Sequence, residues 1–336
     1  MTPPARPAQA ARRIACKGEG MLYAYATTGT ALVPLAPQAD LSAAIWVDLY
    51  RPLGSQATAV AALDYEIPTL ADMEEIELSN RLYMDRGTAY MTAVLPGQLP
   101  EGGSAAMPVT FILNARRLVT VRHHAPRPFE TFPRRADRGS TGCDTPERVF
   151  LGLVEEIVGR LADLSEGVGK VLDRIAGRVL SRDATSETEF LQDALVTIGQ
   201  QAELLGHVRM GLLSLDRILV YHAAVTPRDQ APRGLAKGIQ RDIQALEVHA
   251  DFLTSRIGMT IDATMGMIGL QQNERVRILS VVTALFLPPT LIASIYGMNF
   301  RVIPGLEWSM GMPMALGMMA ASVAGVLALL RWKNWI

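Results

Sequence analysis

Along this chain the period of the apolar residues changes, and each change marks a different kind of element. Residues 1–18 are rich in Pro, Ala and Arg, show no apolar period and read as a flexible tail. From Met21 to about Phe132 the apolar residues come in short runs: MLYAYAT, AIWVDLY, TAYMTAVL, VTFILNA and RLVTVRHH. Short runs of this kind, β-branched and aromatic in content and bounded by Gly, Pro or Asn, predict strands. Between them TLADMEEIELSNRLYM reads as a helix passing into a loop. The expectation is a small α/β domain over residues 19–142, closed by Pro126, Pro128, Pro133, Gly139 and Gly142.

Beyond Thr145 the spacing becomes helical. Val149, Leu153, Ile157, Leu161 and Leu164 share one helix face, as do Leu191, Leu195, Ile198, Leu205 and Leu212. Thr145-Pro146 predicts an N-cap followed by proline in the first turn. Residues 186–224 predict a second long helix, stopped by TPRDQAPRG. A third begins near Arg233 and meets no proline until Pro288. Residues 143–275 are therefore expected to form a stalk of long helices.

The last change of period is the most telling. No residue is charged from Ile278 to Asn299, nor from Trp308 to Leu330. Each run can cross a bilayer, which takes about 20 apolar residues. Joined by the short GMNFRVIPGLEW, they predict a transmembrane hairpin over residues 276–336. Arg275 and Arg277 flank the first span, and Arg331 and Lys333 the second, so both outer ends should face the cytoplasm. The expected fold is thus α+β, with an N-terminal cytoplasmic α/β domain, stalk helices and a C-terminal two-helix membrane hairpin.

Composition narrows the function. The 32 basic and 33 acidic residues nearly balance, which argues against a nucleic-acid partner. The amino terminus holds Arg6, Arg12 and Arg13 without an apolar core after them, so no secretory signal is expected. Cys16 and Cys143 form no CxxC pair, and the five histidines are scattered. No GxxxxGK[ST] stretch and no acid–base or nucleophile constellation occurs, so an enzyme is not expected.

FLPPTLIASIYGMNF, followed by Pro304, Leu306, Trp308, Ser309, Gly311 and Pro313, closely resembles the CorA divalent-cation transporters. The triplet Gly297-Met298-Asn299 is that family's signature. The likeness extends back through QQNERVRILSVV and on to the terminal KNWI. It implies Mg²⁺ as cargo and regulator, an inner-membrane location and a homopentamer whose first span lines the pore. One hairpin cannot enclose water, because lipid-facing backbone must be satisfied within its own helix, so several copies are needed in any case.

Val276, Leu279, Thr283, Leu287, Thr290 and Ser294 recur at intervals of three and four and form the candidate pore face. Their hydroxyls either touch a hydrated ion or bond helical carbonyls. Pro288-Pro289 should kink or loosen the span. Gly297 is expected to let the backbone turn, and Asn299 to offer amide oxygens to the water shell of Mg²⁺, an ion reluctant to dehydrate. The resemblance further implies a regulatory Mg²⁺ site that joins Glu74 and Glu75 to Asp262, 37 residues before Asn299, from adjacent subunits. The outer loop departs from the family's MPEL, which here reads Ile303-Pro304-Gly305-Leu306, and Arg301 stands where an acid is frequent; Glu307 could compensate at the mouth. Two rival functions remain at this stage, a ZntB-like proton-coupled zinc carrier and a membrane-anchored sensor that conducts nothing.

Overall fold

The computed structural model describes residues 20–29, 31–36, 39–75, 77–99, 104–137, 139, 141–181, 188–226, 233–298, 310–333 and 335. The chain forms two compact units: Met1–Arg174 with Thr197–Met259, and Ile175–Val196 with Thr260–Ile336.

The first unit is built on a seven-stranded sheet. Its strands are β1 (Met21–Thr27), β2 (Leu32–Pro34), β3 (Trp46–Tyr50), β4 (Leu82–Asp85), β5 (Thr88–Gln98), β6 (Ser104–Leu113) and β7 (Leu118–Arg122), in the order β2-β1-β3-β7-β6-β5-β4. Among the described residues only β3 and β7 pair in parallel. All five apolar runs of the sequence became strands. The β4–β5 hairpin turns through Arg86 (φ 45°) and Gly87 (φ 78°), the two left-handed positions that a tight two-residue hairpin loop requires.

TLADMEEIELSNRLYM departs from expectation. It forms α2 (Leu70–Glu74), then α3 (Leu78–Arg81), then strand β4. Thr69 caps α2 and Asp72 caps it reciprocally, but Glu75 is extended (φ −55°, ψ 136°) and ends it after five residues. Leu82–Asp85 then pairs with Met91–Thr88 of β5, so the tertiary partner overrides a weak helical pattern.

Alternation along the strands divides the core. On one face Trp46, Met91, Leu95, Phe111 and Leu118 pack with α4 (Pro128–Arg135) and with buried residues of three long helices. These are α5 (Pro146–Val179), α6 (Thr188–Val225) and α7 (Arg233–Tyr296). On the other face Val47, Leu49, Tyr90, Ile112 and Val121 meet Val60 of α1 (Gly54–Ala61), Tyr65 and Met73. With both faces covered, the central strands read as continuous apolar runs. Thr145 caps α5 as its sequence predicts, accepting the Arg148 amide at its hydroxyl, 3.3 Å, and the Val149 amide at its carbonyl, 3.0 Å.

Polar residues are nonetheless buried in this core. Arg122 donates to both carboxylate oxygens of Asp48, at 2.8–3.1 Å, and each side chain is at most 5% exposed. Thr120 donates to Asp48 at 2.8 Å and accepts from the Trp46 indole at 3.1 Å. The guanidinium lies between the rings of Tyr50 and Phe129, 4.6 and 4.9 Å from their centroids. Its remaining reach is to the carbonyl of His124, 3.1 Å away. The charges are matched and nearly every donor is used, which is what makes burial of an ion pair tolerable.

Two histidines are buried in neutral form. His124 donates from Nε2 to the Leu95 carbonyl, 2.7 Å, and burial holds its pKa down to about 4. His222 stacks on Phe150 at 5.2 Å, and burial pushes it down to about 4 as well. Glu147 Oε1 lies 3.2 Å from His222 Nε2, and burial raises the carboxyl's pKa, so each partner favours its uncharged form.

Two outcomes are expected. Arg122→Ala leaves the Asp48 carboxylate buried and unpaired, and should lower stability by about 3–5 kcal/mol in denaturant unfolding. The histidines add a pH dependence. Unfolded imidazoles take protons near pH 6.5, whereas these resist until about pH 4. Between those values the unfolded state binds more protons, so stability is full above the window and falls as the pH drops through it. The limit is about 1.4 kcal/mol per pH unit for each group. Melting temperatures across this range should decline, less steeply for His222→Gln.

Candidate functional site

The candidate conduction path belongs to α7, which, like α5 and α6, contributes to both units. In the first unit it buries Ile239, Ile243, Ala250, Leu253 and Ile257, spaced by three, four or seven. Polar links hold it there: Gln240 donates to Asp216 at 3.0 Å, Arg209 pairs with Asp251 at 3.0 Å, and Arg256 pairs with Asp173. In the second unit Thr260, Thr264 and Gln271 are buried. From Gln272 to Met298 no residue of the chain is buried.

That exposed stretch carries the six predicted pore residues. Because α7 is helical from Arg233 through Tyr296, Val276, Leu279, Thr283, Leu287, Thr290 and Ser294 fall within an arc of about 80°. All six are exposed. So are Ile278, Phe286 and Leu291, at 55–63%, on other sides of the same helix. A single chain therefore presents the whole circumference of the span, and the face is singled out by its hydroxyls.

Those hydroxyls turn back on their own helix. Thr283 donates to the Leu279 carbonyl at 2.8 Å and Thr290 to the Phe286 carbonyl at 2.6 Å. Of the two roles foreseen for them, the bonding of helical carbonyls is present. Each donor is spent but the oxygen lone pairs remain, and the water shell of a cation presents only donors. The two roles are therefore compatible. Pro288 and Pro289 lie inside the helix without ending it. Lacking N–H groups, they leave the Ala284 and Leu285 carbonyls without their usual helical donors.

At the far end, the Gly297 amide bonds the Ala293 carbonyl at 2.9 Å and Met298 is 47% exposed. Gly297 does not adopt a left-handed backbone. The turn expected of it is a close approach instead: a Cβ there would lie 3.1 Å from the Ala293 oxygen. Asn299, and with it Arg301, Ile303, Pro304, Gly305, Leu306 and Glu307, lies outside the described residues. The second span is α8 (Gly311–Trp332), and both spans are long and apolar enough to cross a membrane.

The expected regulatory acids are divided between the units. Glu74 closes α2 and Glu75 follows it, both exposed, in the first unit. Glu75 is held locally: its carboxylate accepts from Asn80 and its carbonyl from Arg81 Nε at 2.6 Å. Asp262 is exposed on α7 in the second unit. Among the described residues, no three His, Cys, Asp or Glu side chains come together within one chain to hold a metal. What sequence reasoning missed is the polar set of Asp48, Arg122 and His222, which is buried, and of Glu147, which is half-buried. Only the charged Asp48 inside an apolar strand signalled any of it.

The CorA-like Mg²⁺ transporter protein family matches residues 42–331. The magnesium transport protein CorA of Pasteurella multocida is 32% identical over 322 residues, which cover 94% of this chain and 100% of that protein. Among solved structures, the CorA magnesium transporter from Methanocaldococcus jannaschii aligns with a TM-score of 0.70 at 15% identity, covering 96% of this chain and 100% of that one. The ZntB cytoplasmic domain from Vibrio parahaemolyticus aligns with a TM-score of 0.53 at 8% identity over 74% of this chain and 98% of that domain, a likeness of fold alone. With a membrane hairpin, an α/β unit and a match along nearly all of its length, the chain belongs to the CorA-like Mg²⁺ transporter family.

Proposed function

We propose that the chain is one subunit of an oligomeric channel, a homopentamer in the inner membrane, that admits divalent cations and above all Mg²⁺. The observation that carries this reading is the full-length match to a magnesium transport protein, from the α/β unit to both spans. Both termini lie in the cytoplasm, as the flanking basic residues favour. The exposed circumference of the α7 span supports assembly, since one helix must face lipid, neighbours and water at once.

In this reading the α7 face from Val276 to Ser294 lines the pore. Val276, Leu279 and Leu287 close it by excluding water, and the Thr283 and Thr290 oxygens accept from the cation's hydration shell. Gly297, Met298 and Asn299 form the outer filter, where Asn299 amide oxygens hold the hydrated ion without stripping it. The membrane potential is sufficient drive: a divalent ion gains about 4.6 kcal/mol per 100 mV. Cytosolic Mg²⁺ closes the channel by bridging Glu74 or Glu75 of one subunit to Asp262 of the next. Carboxylates there repel one another unless a cation lies between them. Co²⁺ and Ni²⁺ are secondary cargoes.

Proteoliposomes under an imposed potential test the reading. Mg²⁺ should enter without a proton gradient, and Asn299→Ala should lower entry at least tenfold with the oligomer intact. Zn²⁺ entry that requires a proton gradient would favour a ZntB-like carrier, and absence of any flux a sensor. Separately, Asp262→Ala should keep conducting at millimolar internal Mg²⁺ concentrations that close the parent. Normal closure would remove Asp262 from the regulatory site.

A further inference from the structure

The inner end of α8 carries two positive charges, Arg331 and Lys333. Arg331 lies in the last turn and Lys333 is the C-cap, both exposed. Among the described residues neither has an ion-pair partner. The inner end of the α7 span differs, because Glu274 already takes Arg277 at 2.6 Å.

The same end is aromatic and its exit is ordered. Trp332 is 84% exposed and Trp335 47%. The helix is closed by two bonds, Lys333 amide to Leu329 carbonyl at 3.0 Å and Trp335 amide to Leu330 carbonyl at 2.9 Å. The second spans six residues, as in a Schellman closure, and folds Trp335 back toward the last turn. Leu330 is buried at this point, only 5% exposed. Two indoles, each with an apolar body and one N–H donor, thus stand in the same turn as a guanidinium and an ammonium that no described residue pairs. All four follow directly on an apolar helix.

We propose that this cluster binds the anionic headgroup of a phospholipid in the cytoplasmic leaflet. Arg331 and Lys333 meet the phosphate, and Trp332 and Trp335 sit at the depth of the glycerol backbone. Guanidinium and ammonium groups are the usual partners of phosphate, and indole rings settle at the boundary of chains and headgroups. The cytoplasmic leaflet supplies anionic lipid, and each basic residue near it strengthens binding about fivefold. The lipid would tether the end of α8 beside the cytoplasmic entrance of the hairpin. This inference rests on the reading that α7 and α8 cross the bilayer with Glu274 and Lys333 inside, and not on which ion is carried.

The test uses the full-length protein in phosphatidylcholine vesicles with and without phosphatidylglycerol. Phosphatidylglycerol should raise the melting temperature of the parent. Arg331→Gln/Lys333→Gln should lose that increment and bind the lipid about 25-fold more weakly, while its helix content and melting temperature in pure phosphatidylcholine match the parent's. Equal stabilisation of both proteins would overturn the site. So would equal stabilisation of the parent by soluble glycerol phosphate in detergent, which would make the cluster a free-phosphate site. Thiol labelling of Lys333→Cys, in a chain with Cys16 and Cys143 replaced by Ser, separates this inference from the topology beneath it. Labelling from the outer side refutes the topology. Labelling from the cytoplasmic side, with no phosphatidylglycerol dependence, refutes the lipid site alone.

Discussion

An amide placed in hydrocarbon has no water to bond, so it must find its carbonyl within its own helix. That constraint governs the carboxyl-terminal third of this protein. It explains why α7 continues without a break through Pro288 and Pro289 to Tyr296, and why its hydroxyls bond the carbonyl four residues back. The span from Gln272 to Met298 has no buried residue, so its apolar side chains are open to lipid.

The first unit solves a different problem. Its sheet is covered on both faces, which leaves little room for charge, yet Asp48 and Arg122 lie at its centre with their hydrogen-bonding capacity almost wholly used. Such a pair adds little net stability over well-packed apolar residues, but it punishes any misplacement of β3 against β7. Among the described residues those are the only parallel neighbours in the sheet, joined by a long crossover and no tight turn. A matched buried pair across that junction is suited to holding its register.

The two kinds of burial bear on how ligands could act. In the first unit Asp48 is matched by Arg122, and burial holds His124 and His222 neutral. The acids available to metal are on the surface: Glu74 and Glu75 beside a short helix, Asp262 on α7. Among the described residues none is part of a three-ligand group within one chain.

Much of the architecture could be read from residue order alone. The absence of charge from Ile278 to Asn299 and from Trp308 to Leu330 defined the spans. Three- and four-residue spacing defined α5 and α6, the proline-free run from Arg233 defined α7, and Thr145 and Arg233 marked helix starts that the structure retains. These signals are local, since helices and spans are stabilised by bonds and burial along one segment. Tertiary structure decided what depends on distant partners. Leu82–Asp85 became a strand because β5 lies beside it, and the brief β2 exists by pairing with β1. Asp48 found Arg122 seventy-four residues away, and His222 met Glu147 across two helices. No local pattern encodes such pairings, because their energy exists only once the intervening chain has folded.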